Sequence, residues 1–243
     1  MKKIILSFLF TSLLMTMAAQ NSVGKFSVKP KVGVNLSTLS SSDHVYKYRA
    51  GFTAGAELEY GVSNVLGISL GAMYSQQGAN IEGQYSDITI NEEGNLFGDA
   101  GWADGKITSS NIIFPLMANI YIPAFEHFIL KVGAQLGFNL SNKMQLDMPF
   151  AINYYPQPST SPLEYDSGRS YYKSHLADSE VFKSVDFGIP LGIVYEYKGY
   201  SLELLYYLGL TDVKNLSKIP EEYDFFQSFR NRYLSITLGY RLR

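Results

Sequence analysis

The 243-residue chain carries 22 acidic and 20 basic side chains, a formal charge of −2, and no cysteine. So balanced a charge gives no footprint for nucleic acid, and without cysteine there is no disulfide framework to supply stability. Nineteen tyrosines and fifteen phenylalanines against the single Trp102 suit a sheet protein with many interfacial aromatics.

Residues 1–20, MKKIILSFLFTSLLMTMAAQ, set Lys2 and Lys3 ahead of an apolar run that ends in small residues at Ala18 and Ala19. The pattern is that of a cleaved secretory signal peptide, and the run is shorter than the roughly 20 residues of a spanning helix. Its removal takes the formal charge from −2 to about −4. Residues 21–243 then form one domain, in which no apolar run is long enough for a transmembrane helix.

Lys29 to Ser37 alternates, with Val32, Val34 and Leu36 on one face and Lys31, Gly33 and Asn35 on the other; this is the first strand. A polar link, Thr38 to Tyr48, leads into a hairpin. Its first arm sets Phe52, Ala54, Ala56, Leu58 and Tyr60 against Thr53, Gly55, Glu57 and Glu59. After the turn at Gly61 to Asn64 the second arm resumes with Leu66, Ile68, Leu70, Ala72 and Tyr74. Each arm has about the ten residues that a tilted strand needs to cross a bilayer core.

Asn80 to Ser109 is Gly-rich and acidic and reads as a loop, with a possible short strand at Ile88 to Ile90. Asn111 to Ile122 is the fourth strand, followed by a turn at Pro123 to His127, and Phe128 to Ser141 is the fifth, with Leu130, Val132, Leu136 and Phe138 against Lys131, Gln135 and Asn139. Asn142 to Val181 reads as the longest loop. Phe182 to Tyr197 and Tyr200 to Thr211 form the sixth and seventh strands around the two-residue turn Lys198-Gly199. Asp212 to Asn231 is a polar loop, and the eighth strand alternates Leu234, Ile236, Leu238, Tyr240 and Leu242 with Ser235, Thr237, Gly239 and Arg241.

Short links follow the second, fourth and sixth strands, and long ones follow the first, third, fifth and seventh. The layout predicts an all-β fold: an eight-stranded antiparallel up-and-down transmembrane β-barrel with short periplasmic turns, long extracellular loops and both termini periplasmic. The charged face cannot look at lipid, where a basic residue at midplane costs about 2–4 kcal/mol, so it is the lumen. Lys31, Glu57, Glu59, Lys131, Glu196, Glu203 and Arg241 are predicted to meet there as a plugging salt-bridge cluster. The favoured pairs are Glu203 with Arg241, and Lys31 with Glu57 or Glu59. On the lipid side Tyr60, Phe128, Tyr195, Tyr197 and Tyr240 fall toward the periplasmic ends and Phe52, Tyr74, Phe138 and Phe187 toward the loops, as two aromatic girdles.

The segments GVNLSTL, AGAELEY, LGISLGAMYSQQGA, IIFPLMANIYI, LKVGAQLGFNLS, DFGIPLGIVYEY, LELLYYLGLTDV and NRYLSITLGYRLR resemble the outer-membrane β-barrel porin family of Bacteroidetes, which includes PorT-like proteins. The ending Leu242-Arg243 departs from the aromatic terminus usual in such barrels. The resemblance implies an outer-membrane protein with an eight-stranded barrel and no shared active site; no cofactor and no metal are expected. Its expected role is structural, surface-interacting or accessory, with a largely plugged lumen. Membrane lipids and lipopolysaccharide, the outer-membrane assembly machinery, and an extracellular partner reached through residues 80–109 and 142–181 are the expected partners.

Two other readings compete. A lipid-modifying or proteolytic barrel enzyme needs a nucleophile and a positioned base; Ser174, His175 and Asp178 are the residues that could supply one. A secreted soluble barrel of lipocalin type needs the greasy face inside. The carboxylates between Ile81 and Lys106 could meet Ca²⁺, yet they lack the spacing of a defined calcium loop.

Overall fold

The computed structural model describes residues 23–40, 46–90, 96–155, 170–177, 183–213 and 230–242; of these, for 83–90, 96–104, 144–155 and 170–177 it describes the course of the backbone alone. The described residues form β1 (Phe26–Ser40), β2 (Tyr46–Lys47), β3 (Arg49–Gly61), β4 (Leu66–Ile90), β5 (Leu96–Tyr121), β6 (Phe128–Tyr155), β7 (Ser170–Ala177), β8 (Val185–Tyr197), β9 (Tyr200–Gly209) and β10 (Arg230–Tyr240). Eight of them close a ring in the order β4, β3, β1, β10, β9, β8, β6, β5, and β5 pairs back onto β4. Every barrel strand is antiparallel to both neighbours. The chain therefore makes a closed up-and-down barrel, and the ladder between the first and last strands, with Lys31 opposite Gly239 and Leu36 opposite Leu234, seals it.

The termini reinforce that seam. Val28 and Leu242 exchange backbone hydrogen bonds of 2.9 and 2.7 Å, and the Gly24 N–H donates to the Gly61 carbonyl at 2.8 Å. Both described ends of the chain thus lie on the side of the short turns. The Lys198-Gly199 turn has positive φ at both residues, 51° and 84°, as expected of a hairpin turn whose twist matches its strands.

Alternation sorts the side chains. Along β1 the buried positions are Ser27, Lys29, Lys31, Asn35, Ser37 and Leu39, while Val28, Val32, Val34 and Leu36 are exposed. Val32 is 59 % exposed, Leu116 52 % and Leu238 62 %, values that would be prohibitive in water for a continuous band around the whole molecule. In a bilayer such a band is the stabilising surface. A lipocalin-type arrangement is therefore excluded, because the greasy face points outward and the charged one inward.

The loop-side ends differ from the expectation. Asn80 to Ser109 is not a loop over most of its length: β4 runs on to Ile90 and β5 begins at Leu96, paired residue by residue from Asn80 opposite Lys106 to Ile90 opposite Leu96. Asn142 to Val181 likewise contains the continuation of β6 to Tyr155 and the extra strand β7, which pairs with β6 from Lys143 to Phe150. The reason is physical. Alternation reports which side of a strand is greasy, and beyond the bilayer neither side has to be, although the backbone ladder continues from arms already in register.

The narrow interior makes particular glycines necessary. At Gly188 on β8 a Cβ would come within 2.4 Å of the Leu208 carbonyl oxygen and 2.6 Å of the Tyr207 ring, whereas at Gly137 on β6 the nearest atoms are 3.6 Å away. Gly188→Ala is expected to cost about 1–3 kcal/mol by overpacking. Gly137→Ala should be neutral or slightly stabilising, by up to about 1 kcal/mol through the unfolded chain. Urea unfolding of the two refolded variants checks both, and equal effects would contradict the packing described here.

Candidate functional site

The lumen is the feature with chemistry to explain. Inward positions of five strands and of the segment after β10 carry eight charged side chains, in two tiers. In the mid-lumen tier the Lys31 ammonium on β1 lies 2.7 Å from Oε2 of Glu57 on β3 and 2.7 Å from Oε2 of Glu203 on β9. The Lys131 ammonium on β6 lies 2.5 Å from the same Glu57 oxygen and 3.1 Å from the same Glu203 oxygen. The result is a closed square of alternating sign spanning the lumen, with all four side chains buried.

The second tier lies nearer the short turns. Lys29 is 2.6 Å from Glu59 and 3.3 Å from Glu196. Arg241 grips Glu196 with two parallel bonds, Nε to Oε1 at 2.6 Å and Nη2 to Oε2 at 2.7 Å. Its guanidinium also lies 3.4 Å from Glu59 and donates to Ser27 and Tyr121 at 3.0 Å each. The Tyr121 hydroxyl in turn donates to Glu59. Each tier has two cations and two anions, so neither leaves a net charge. Burying one ion unpaired costs several kcal/mol, which a close opposite charge offsets; every charge in the two tiers has two oppositely charged neighbours within 3.4 Å.

Above the tiers the filling becomes polar and aromatic. The Tyr233 hydroxyl donates to Gln135 at 2.8 Å, and its ring stacks on Tyr207 with centroids 4.8 Å apart and planes 19° from parallel. Tyr207 and Asn231 then donate to Asp186 at 3.0 and 2.9 Å. Toward the loops, Asn139 and Asn142 exchange bonds of 2.8 Å, and Asn139 also donates to Ser109 and Asn111. Voids of about 30 Å³, beside the mid-lumen square, and about 20 Å³, beside Asp186, interrupt this packing; each has room for about one water.

Of the expected pairs, Lys31 meets Glu57, but Glu203 does not meet Arg241. The register explains the correction: Glu203 stands opposite Thr237, and Arg241 is four residues further along, roughly 13 Å at strand rise. Glu203 pairs instead with Lys31 and Lys131, and Arg241 with Glu196 and Glu59. Lys29 and Tyr121 belong to the site although the sequence reading did not single them out. Lys29 was recoverable, since it shares the inward face with Lys31 at i,i+2; Tyr121, at the strand end beside a turn, gave no such signal.

Outside, the structure places Phe52, Tyr60, Phe128, Phe138, Phe187, Tyr195 and Tyr197 among the exposed apolar residues, with Tyr74 and Tyr240 half-buried beside them. Rings pair at both levels, Phe128 with Tyr195 at 5.3 Å near the short turns and Phe52 with Tyr74 at 5.2 Å toward the loops. Phe26 and Tyr200, not foreseen in the girdle, join it against Tyr60 and Tyr240 at 4.9 Å each.

Of the residues considered for catalysis, Asp178 falls outside the described residues, as do the side chains of Ser174 and His175. His127 sits on a short turn with its ring 5.6 Å from Tyr195 and 5.3 Å from Tyr197. Of the carboxylates weighed for Ca²⁺, Asp87, Asp99 and Asp104 fall among the undescribed side chains, and no cluster of metal-ligating residues occurs among the described ones.

The paired-charge geometry has a measurable consequence. Lys131→Met is expected to destabilise the refolded barrel by about 3–5 kcal/mol, because Glu57 and Glu203 lose a shared cation. A double-mutant cycle on Lys131 and Glu57 should give a coupling of about 0.5–3 kcal/mol, whereas one on Glu203 and Arg241 should be additive within about 0.5 kcal/mol. The reverse order would contradict the assignment.

Residues 18–215 match the family model described as "Outer membrane protein beta-barrel domain". No curated protein matches the chain. Among solved structures, Neisserial surface protein A is similar at 14 % identity and a TM-score of 0.40, over 88 % of this chain and 96 % of that one. Ail, the attachment invasion locus protein of Yersinia pestis, is similar at 10 % identity and a TM-score of 0.33, over 90 % and 99 %. CarO2 of Acinetobacter baumannii is similar at 13 % identity and a TM-score of 0.31, over 88 % and 99 %. With the family model covering most of its length, the chain belongs to the outer-membrane protein β-barrel domain family, whose members reside in the outer membrane of Gram-negative bacteria.

Proposed function

We propose that this outer-membrane barrel is a non-enzymatic surface-interaction or accessory protein rather than a general pore, and that it is of the PorT-like kind found in Bacteroidetes. The single observation that carries the reading is the lumen: two charge-neutral tiers and a stacked tyrosine pair occupy the space that a solute would need. With transport disfavoured, function passes to the parts that leave the bilayer. Among the described residues the extended hairpin of β4 and β5, together with β6 and β7, is the largest such part and spans much of 80–109 and 142–181. In this reading residues 1–20 are removed on export, the short turns and both termini face the periplasm, and assembly machinery inserts the chain among membrane lipids and lipopolysaccharide.

The absence of native cysteine makes the orientation testable. A cysteine introduced as Asp87→Cys is expected to react in intact cells with a maleimide that cannot cross the outer membrane, and one introduced as Glu126→Cys only after the membrane is permeabilised. In parallel, vesicles carrying the purified barrel should take up neutral sugars no faster than protein-free vesicles. Labelling of Glu126→Cys alone in intact cells would invert the topology, and rapid sugar uptake would return the protein to the pores.

A further inference from the structure

We propose that the loop-side mouth of the lumen binds an alkali cation, Na⁺ or K⁺, at the free carboxylate oxygen of Asp186, beside the asparagine cluster of Asn111, Asn139 and Asn142. The observation that carries it is an inward-facing carboxylate with no counter-charge. Every member of the two tiers has oppositely charged neighbours, whereas Asp186 on β8 forms no ion pair. Burial and hydrogen bonds from Asn231 and Tyr207 are the leading influences on its carboxyl, and no cation is among them.

The two oxygens of Asp186 differ. Oδ2 accepts from both the Tyr207 hydroxyl and the Asn231 amide, at 3.0 and 2.9 Å; Oδ1 is buried and accepts nothing. The void of about 20 Å³ beside it has an apolar part, Leu39, Ile107 and Val213, all buried, and a polar part made by Ser109 and the three asparagines. The Asn139 amide has two protons to share among three oxygens, Ser109 Oγ at 2.6 Å, Asn111 Oδ1 at 2.9 Å and Asn142 Oδ1 at 2.8 Å. The cluster is therefore short of protons rather than of oxygens. Such hard oxygen donors suit a hard cation.

Size and charge narrow the occupant. The void has room for one small ion or one water. A water would give Oδ1 its proton but leave the carboxylate charge uncompensated in a site partly closed by apolar side chains, which is unfavourable. A single positive charge balances the single carboxylate; Ca²⁺ would leave an excess and takes roughly six to eight oxygen ligands. Two cations of the chain itself are near. Lys183 lines the void but is exposed, and Arg49, beside Gly78, donates to the Gln77 carbonyl at 3.2 Å. Neither forms an ion pair with Asp186. A cation here joins β8 to β5 and β6 across the mouth, whichever end of the barrel faces the cell exterior.

The test is urea unfolding of the full barrel refolded in neutral detergent, in NaCl, KCl or N-methyl-D-glucamine chloride at one ionic strength. The native barrel is expected to be more stable in at least one alkali chloride, with an unfolding constant about tenfold lower when the cation is at about ten times its Kd. Asp186→Asn should lose this dependence, while Glu82→Gln, at an exposed carboxylate elsewhere, should keep it. Sodium-23 NMR gives a second readout: native protein should broaden the line more than Asp186→Asn does, and K⁺ should reverse the difference. Heat-modifiable gel mobility establishes that each variant is folded. Equal midpoints in the three salts would overturn the proposal, leaving a proton as the charge that neutralises Asp186, and so would a cation dependence retained in Asp186→Asn. A dependence that appears only in Lys183→Gln would also overturn it, because the Lys183 ammonium would then fill the void in the native protein.

Discussion

A bilayer core offers no water to unpaired backbone N–H and C=O groups, and from this constraint the rest of the molecule follows. A sheet can satisfy it only by closing, and here closure is completed by β1 on β10 and reinforced by the reciprocal bonds of Val28 and Leu242. Eight strands closed in this way leave an interior just wide enough for side chains to fill. Once the ring is closed, every second residue of each strand has to be either greasy, because it meets lipid, or part of a packed and self-satisfied lumen.

The charges answer the second demand. A lumen filled only by aliphatic side chains would also exclude water, so the ionic filling is not required by closure alone. What the eight charges provide is registration across the barrel: Lys31 on β1 and Lys131 on β6 link to two further strands, β3 and β9, through two carboxylates, and Arg241 ties the segment after β10 to β8 and β3. Each pairing is specific because removing one member leaves a buried ion without its partner. Near the loops the filling changes to amides, hydroxyls, tyrosines and the Asp186 carboxylate, which hydrogen-bond to one another at lower desolvation cost than a lattice of full charges. Polar groups that share a low-dielectric space are strongly coupled, which holds these side chains in one arrangement.

Within the bilayer the fold was legible because lipid and lumen impose opposite chemistry on alternate residues. Phe52, Ala54, Ala56, Leu58 and Tyr60 against Glu57 and Glu59 carry the inward and outward faces of β3 without reference to any other strand. The position of Glu57 beside Lys31 followed from the adjacency of consecutive strands in a meander. The partner of Arg241 did not follow, since ring adjacency of β9 and β10 leaves the stagger between them undetermined, and that stagger moves Arg241 away from Glu203 and onto Glu196. Beyond the bilayer the signal fails altogether. From Glu82 to Ile90 the residues needed for a ladder are simply backbone, and a Gly-rich acidic sequence satisfies it as well as a loop.

The central claim is that paired charges close the lumen of a lipid-embedded barrel, and single-channel conductance in planar bilayers tests it most directly. The native protein is expected to show no steady large conductance. Replacing Glu57 and Glu203 together by Ala, which removes both carboxylates of the mid-lumen square and leaves Lys31 and Lys131 to repel one another, should produce openings that favour anions. A steady large conductance from the native barrel would contradict the account.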